Sequence, residues 1–206
     1  MKLTWLGHAC FMLESDGYRI LLDPYRDVPG LENIEAEADA VYCSHGHFDH
    51  AYLDRVHLTQ GKVSPFTVRE IPTFHDEEGG ALRGNNMIRC FTANGFTVAH
   101  FGDLGHQLSD EQVAAIGRCD VILLPIGGTY TVGPEGAKAV VERVDPRVVI
   151  PMHYRDGARD FEELCSVEDF LSLFPKQLVR RYPYNSLQLL KDTPKQVAVL
   201  KMNSLF

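Results

Sequence analysis

Residues 43–50 read CSHGHFDH and put His45, His47, Asp49 and His50 within six consecutive positions of a chain that has nine histidines in all. Imidazoles and a carboxylate so close together form a donor set for a divalent metal, and nitrogen and oxygen ligands suit zinc, manganese or iron. In an extended segment His45 and His47 point to the same side and both reach one ion, with Gly46 leaving the backbone free to turn between them. Asp49 and His50 then face a second ion close by, so the arrangement favours two metals over one. A single ion, or a polar loop with fortuitous histidines, are the alternatives. The polar loop must also account for His75 in IPTFHDEEGG, Asp103 in TVAHFGDLGH and His153 in VVIPMHY, each just after a predicted strand. Further donors at strand ends are what a catalytic pair requires, since one ion needs at least three protein ligands.

The elements that must hold these residues follow from periodicity and turn chemistry. KLTWLG, CFMLES and YRILLDP read as successive strands with Ser15-Asp16-Gly17 as a hairpin turn, and AVYCS is a fourth strand running into the histidine cluster. YLDRVHL reads as a short helix, SPFTV and IPTF as two strands, and MIRCFTANGFTVAHFGD as a hairpin through Asn94-Gly95. Ser109 and Gln112 have capping-box spacing and open a helix through DEQVAAIGR. VILLPI, VVIPMHY and QVAVLKM are strands, while PEGAKAVVERV and SVEDFLSLF are helices. Arg180-Arg181 is expected at a helix end, and the terminal run KMNSLF as an edge strand or part of an interface. The pattern is α/β with mixed sheets, in one domain spanning residues 1–206. The cluster then lies at the carboxyl end of a strand, where open α/β sheets hold their sites.

Composition narrows the partners. A length of 206 residues with 45% hydrophobic and 23% charged residues suits a globular domain with a sizeable core. A formal net charge of -8 argues against nucleic acid or anionic membranes, which reward a basic face. The five cysteines are an odd, scattered count without a C-x-x-C pair, which fits a reducing cytoplasm. No signal peptide or spanning segment is expected.

SHGHFDH resembles the H-x-H-x-D-H motif of the metallo-β-lactamase superfamily, and His75, Asp103 and His153 match the order of its remaining ligands. MKLTWLGHACFMLE, LLDPY, FGDLGH, LLPIGGTYT and IPMHY are similar to the small hydrolases of that superfamily related to L-ascorbate 6-phosphate lactonase. The resemblance covers nearly the whole chain. It implies an αββα sandwich, two mixed sheets back to back with helices outside, and a dinuclear site along one edge. It also implies that His45, His47 and His75 hold the first metal, that Asp49, His50 and His153 hold the second, and that Asp103 bridges them.

The expected chemistry is that of a metal-dependent hydrolase. Two divalent ions, zinc first and manganese or iron as alternatives, would share a water and lower its pKa from about 15.7 to near 7. The resulting bridging hydroxide would attack a small ester, lactone or phosphoester. Asp49, by the resemblance, orients that hydroxide as well as binding metal. His106, three residues after Asp103, is the candidate proton donor to the leaving group, against the alternative of a histidine merely near a helix start. His8 and Tyr130 are candidate substrate contacts, against a structural histidine and a tight turn. His100 is a candidate partner that holds a ligand, Asp76 is either such a partner or a solvated turn carboxylate, and His57 is expected as an exposed or half-buried helix residue with no role in the site. Nuclease action and a noncatalytic metal-binding or sensor role are the competing functions; oligomeric state is left open.

Overall fold

The computed structural model describes residues 1–202. The last four residues of the KMNSLF run lie outside the described residues. In chain order the strands are β1 (Lys2–Gly7), β2 (Cys10–Ser15), β3 (Tyr18–Leu22), β4 (Ala36–Ala38), β5 (Ala40–Tyr42), β6 (Val56–Leu58), β7 (Thr67–Phe74), β8 (Asn85–Ala93) and β9 (Phe96–His100). After them come helix α1 (Asp110–Ile116), β10 (Val121–Pro125), helix α2 (Pro134–Val144), β11 (Val148–Met152), helix α3 (Val167–Leu171), β12 (Val179–Arg181), β13 (Ser186–Gln188) and β14 (Gln196–Val199).

Two mixed sheets carry the fold. One runs β13-β1-β2-β3-β5 and the other β12-β14-β11-β10-β9-β8-β7, while β4 and β6 pair separately. Alternation along β2 and β3 sends Phe11, Leu13, Ile20 and Leu22 into the main core between the sheets, and Cys10 and Leu21 into a smaller cluster on the other face. The central parallel strands β10 and β11 are buried at every position, as continuous apolar runs covered on both faces should be. All three helices add buried residues to the main cluster, among them Ile116, Val140 and Phe170. On the far face of the five-stranded sheet the cover is different: Tyr25, Val28 and Ile34, from the irregular segment after β3, pack there with Ala38.

The two-residue hairpins are as expected. Asp16 and Gly17 have φ of 51° and 72°, and Asn94 and Gly95 have 52° and 77°, the left-handed pair that matches strand twist. Asn94 Nδ2 donates to Ser15 Oγ at 2.9 Å and to Asp16 Oδ2 at 2.8 Å, so the two turns are tied across the layers. The Ser109–Gln112 capping box of α1 is present in both directions.

Three local expectations are corrected. YLDRVHL is not a helix: Val56–Leu58 forms β6 beside β4, and Leu53 and Leu58 stay 48% and 54% exposed, so a helix there had no apolar face to bury. SPFTV and IPTF join in the single strand β7, whose Pro72 is tolerated because β7 is a sheet edge. Arg180 and Arg181 lie in β12, where Arg181 pairs with Glu168, and not on a helix end.

Candidate metal centre

Six strands of the two main sheets deliver the site. His8 follows β1, Asp23 follows β3, residues 43–50 follow β5, His75 follows β7, Asp103 follows β9 and His153 follows β11. His8 and His153 carry φ of 50° and 51°, a left-handed conformation that costs energy in a non-glycine residue and concentrates at functional positions. The His153 N–H donates to the His8 carbonyl at 3.2 Å, and their rings lie 4.0 Å apart, so each holds the other in place.

Donor atoms converge in three overlapping groups, each with all atoms within 4.8 Å of one another: His45, His47 and His75; His8, Asp49, His50 and His153; and His45, His50 and Asp103. Asp103 stands between the first two. Its Oδ2 lies 3.1 Å from His50 Nε2, 3.1 Å from His75 Nε2 and 3.3 Å from His153 Nε2.

Around the donors lie groups that fix their orientation. His50 Nδ1 donates to Asp23 Oδ2 at 2.8 Å, His75 Nδ1 donates to the Tyr130 carbonyl at 3.0 Å, and His8 Nδ1 lies 2.9 Å from Asp160 Oδ2. Each bond occupies one ring nitrogen and turns the other inward, the arrangement typical of metal-ligating histidines. Asn86 receives the Asp103 N–H at 2.9 Å and donates to the Phe101 carbonyl at 2.9 Å, which secures the turn that carries Asp103. Gly102, at φ 52°, belongs to the same turn, and a Cβ there would collide with Ser44 Cβ and Asn86 Oδ1. Gly46 behaves otherwise than expected: its φ is not left-handed and nothing lies within 4 Å of its Cβ position, so the ligand turn does not depend on it.

The electrostatics fit a cation. Among the described residues six buried side-chain atoms have no hydrogen-bond partner, namely Arg147 Nε and, at the site, His8 Nε2, Asp49 Oδ1, His50 Nε2, Asp103 Oδ1 and His153 Nδ1, an expensive condition for polar atoms away from water. Five of the six belong to residues of the donor groups, and a bound divalent ion would satisfy those of them that face it. Burial and the neighbouring His50 push the His45 imidazole down to about 3, and burial also lowers His47, so both favour the neutral, ligating form. For Asp103, burial favours protonation but His153 and His50 outweigh it and hold the carboxyl well below its usual range. Burial likewise opposes ionisation of Asp49, and the His8 and His50 side chains reverse it.

The remaining sequence candidates divide. Tyr130 lines a 390 Å³ cavity together with His47, Asp49, His75, Asp103 and His153. His8 does not line it: fully buried, with Nε2 3.5 Å from Asp49 Oδ2, it lies beneath the donors and out of reach of a substrate contact. His106 is also displaced from its expected role. Its Nε2 accepts the Phe74 N–H at 3.1 Å and its Nδ1 donates to the Gln107 carbonyl at 2.8 Å, so backbone groups occupy both nitrogens of a ring outside the cavity. His100 accepts the Gly102 N–H at 3.1 Å and steadies the Asp103 turn, and His57 is exposed on β6. Asp23, Asp160 and Arg83 were not anticipated. LLDPY offered a signal for Asp23, a carboxylate at a strand end like Asp103; Asp160 and Arg83 lie in irregular segments that carry none.

A family model described as the β-lactamase superfamily domain matches residues 2–153. Two archaeal proteins named metal-dependent hydrolases are similar to this chain over 75% of its length: one from Archaeoglobus fulgidus is 31% identical over 196 residues, covering 83% of that relative, and one from Methanopyrus kandleri is 29% identical over 195 residues, covering 84%. Among solved structures, a candidate zinc-dependent hydrolase of the metallo-β-lactamase superfamily from Thermotoga maritima superposes with a TM-score of 0.75 at 37% identity, over 97% of each chain. With the sandwich, the strand-end donors and these matches together, the chain belongs to the metallo-β-lactamase superfamily, among its metal-dependent hydrolases.

Proposed function

We propose that the protein hydrolyses a small ester, lactone or phosphoester at a centre of two divalent metal ions. The observation that carries this reading is the convergence of five partnerless buried donor atoms beside an open cavity. His45, His47 and His75 would hold one ion, Asp49, His50 and His153 the other, with Asp103 between them. Nitrogen and oxygen donors without a thiolate favour zinc, and also accept manganese or iron. When bound, such a pair supplies Lewis acidity and a water acidified to about neutral pH.

The chain's own residues supply orientation and shape. Asp23 and the Tyr130 carbonyl fix the His50 and His75 tautomers, so that Nε2 of each faces the centre. Asp49 presents a cavity-lining carboxylate that can hold and turn a water toward the substrate. Phe48, Tyr130 and Phe161 give the cavity aromatic walls suited to a small organic molecule. Arg83 is the one arginine or lysine among the described lining residues, which does not make the basic groove that a nuclease needs. The opening beside the donors favours catalysis over a closed structural or sensor site. All five cysteines are free thiols, which supports a cytoplasmic setting, and among the described residues no helix is long and apolar enough to cross a membrane.

The test is metal content per chain on protein purified without added metal, paired with turnover of a lactone panel and a generic phosphodiester before and after chelation. About two equivalents, with activity lost on chelation and restored by zinc or manganese, is the expected result. Absence of metal that cannot be reloaded would overturn the reading.

A further inference from the structure

The loop between His75 and Gly84 is built around one carboxylate. Asp76, 3% exposed, accepts backbone N–H groups from Glu78 at 2.8 Å, Gly80 at 2.8 Å, Leu82 at 3.0 Å and Arg83 at 2.7 Å. The His75 N–H closes the loop on the Gly84 carbonyl at 3.0 Å. A carboxylate saturated in this way is unavailable for catalysis; its effect is to fix where Arg83 stands.

The Arg83 guanidinium lies 5.7 Å from the centre of the Tyr130 ring and lines the same cavity as the donor cluster. Among the described residues it forms no ion pair, whereas Arg19, Arg89, Arg147 and Arg181 each meet a carboxylate. Tyr130 is itself secured, its hydroxyl donating to Glu163 and its carbonyl accepting from His75. The result is a planar, half-buried cation, backed by an aromatic face and held by a rigid loop, with its donors unclaimed. Guanidinium groups so disposed bind carboxylate or phosphate oxygens in pairs. The protein's net charge of -8, and Glu77, Glu78 and Glu135 along the adjoining groove, would otherwise repel an anion.

We propose that Arg83 is a specificity residue that recognises a second anionic group, a carboxylate or phosphate, on the substrate. This rests on the hydrolase reading above, and its substrates are therefore anionic esters, lactones or phosphoesters. Asp76 is the positioning residue that keeps Arg83 at the cavity.

The probes are phenylphosphonate and 4-carboxyphenylphosphonate, which differ by one carboxylate, titrated calorimetrically into metal-loaded wild type, Arg83→Ala and Arg83→Lys. The wild type should bind the carboxylated compound at least about tenfold more tightly. That preference should vanish in Arg83→Ala and persist in part in Arg83→Lys, with metal content equal in all three. Phenyl acetate and 4-acetoxybenzoate, assayed in parallel, should show the same ratio in kcat/KM. Equal affinity of the wild type for both phosphonates, failure to bind either, or an unchanged preference in Arg83→Ala would overturn the assignment. Hydrolysis of both esters with no effect of Arg83→Ala would remove Arg83 and leave the hydrolase standing. An Arg83-dependent phosphonate preference without turnover of any ester would do the reverse.

Discussion

Asp23 holds His50: its Oδ2 accepts from His50 Nδ1 at 2.8 Å, while the Ser44 N–H donates to Oδ1 at 2.6 Å and the Ser44 hydroxyl to Oδ2 at 2.5 Å. Burial raises the Asp23 carboxyl, but His100, His50 and Ser44 more than offset this and bring it to about 2. An ionised Asp23 keeps the His50 proton on Nδ1 and leaves Nε2 as a donor to metal. Asp23→Asn should therefore lower affinity for one metal equivalent by about 10–100-fold, the usual loss when such a partner is removed. Competitive chelator titration measures it; wild-type affinity for both equivalents would refute the role given to Asp23.

Asp49→Ala should reduce turnover by about 100-fold or more, because on the proposed reading it removes a metal donor and the water-orienting carboxylate together. The fold should survive, since the deletion also relieves repulsion between Asp49 and Asp103. Full activity in a folded variant would end its assigned role. His57→Ala is the control: exposed on β6, it should leave metal content at the wild-type level.

Gly102→Ala tests the close approach behind Asp103. The new Cβ needs a φ of 52° and meets Ser44 and Asn86. Left-handed strain of about 1–2 kcal/mol and overpacking of about 1–3 kcal/mol should combine to a loss near 3 kcal/mol in urea unfolding. A loss below about 1 kcal/mol would mean that the turn relaxes at little cost.

Asp39 provides a pH dependence remote from the donors. Burial disfavours its ionised form, but the Thr59 hydroxyl, the Arg19 N–H at 2.7 Å and Lys62 at 3.0 Å prevail and lower it to about 2. A folded pKa below the unfolded value of about 3.9 gives stability that is full above it and lost as pH falls toward 2. Asp39→Asn should therefore be less stable than wild type at neutral pH, and the gap should narrow below about pH 4. A gap of constant size down to about pH 3 would contradict the assignment.

Legibility in the sequence followed locality. The turns at Asp16-Gly17 and Asn94-Gly95, the Ser109 cap and the buried runs of β10 and β11 are set by neighbouring residues, so short-range chemistry reveals them. YLDRVHL has an ambiguous period, and only its pairing with Ala36–Ala38 decides for a strand. The donors at the site were readable because they sit at strand ends. Their partners were less so: His8 finds Asp160, 152 residues away, and Arg83 becomes a cavity group only through the Asp76-centred loop. Proximity of His106 to Asp103 in sequence misled for a related reason, since Phe74 claims its ring from another strand.

The layers of the sandwich are joined differently at their two ends. Asn94 ties the hairpin turns at one end, while at the other the donors come from β5 in one sheet and from β7, β9 and β11 in the other. The proposed ion sites would thus be complete only after the layers have docked, which would make metal capture a late event along the folding path. Bound ions would rivet the sheets against their first parting and leave the earlier search for native pairing untouched. A loaded chain would then refold at the pace of the metal-free one and come apart far more slowly.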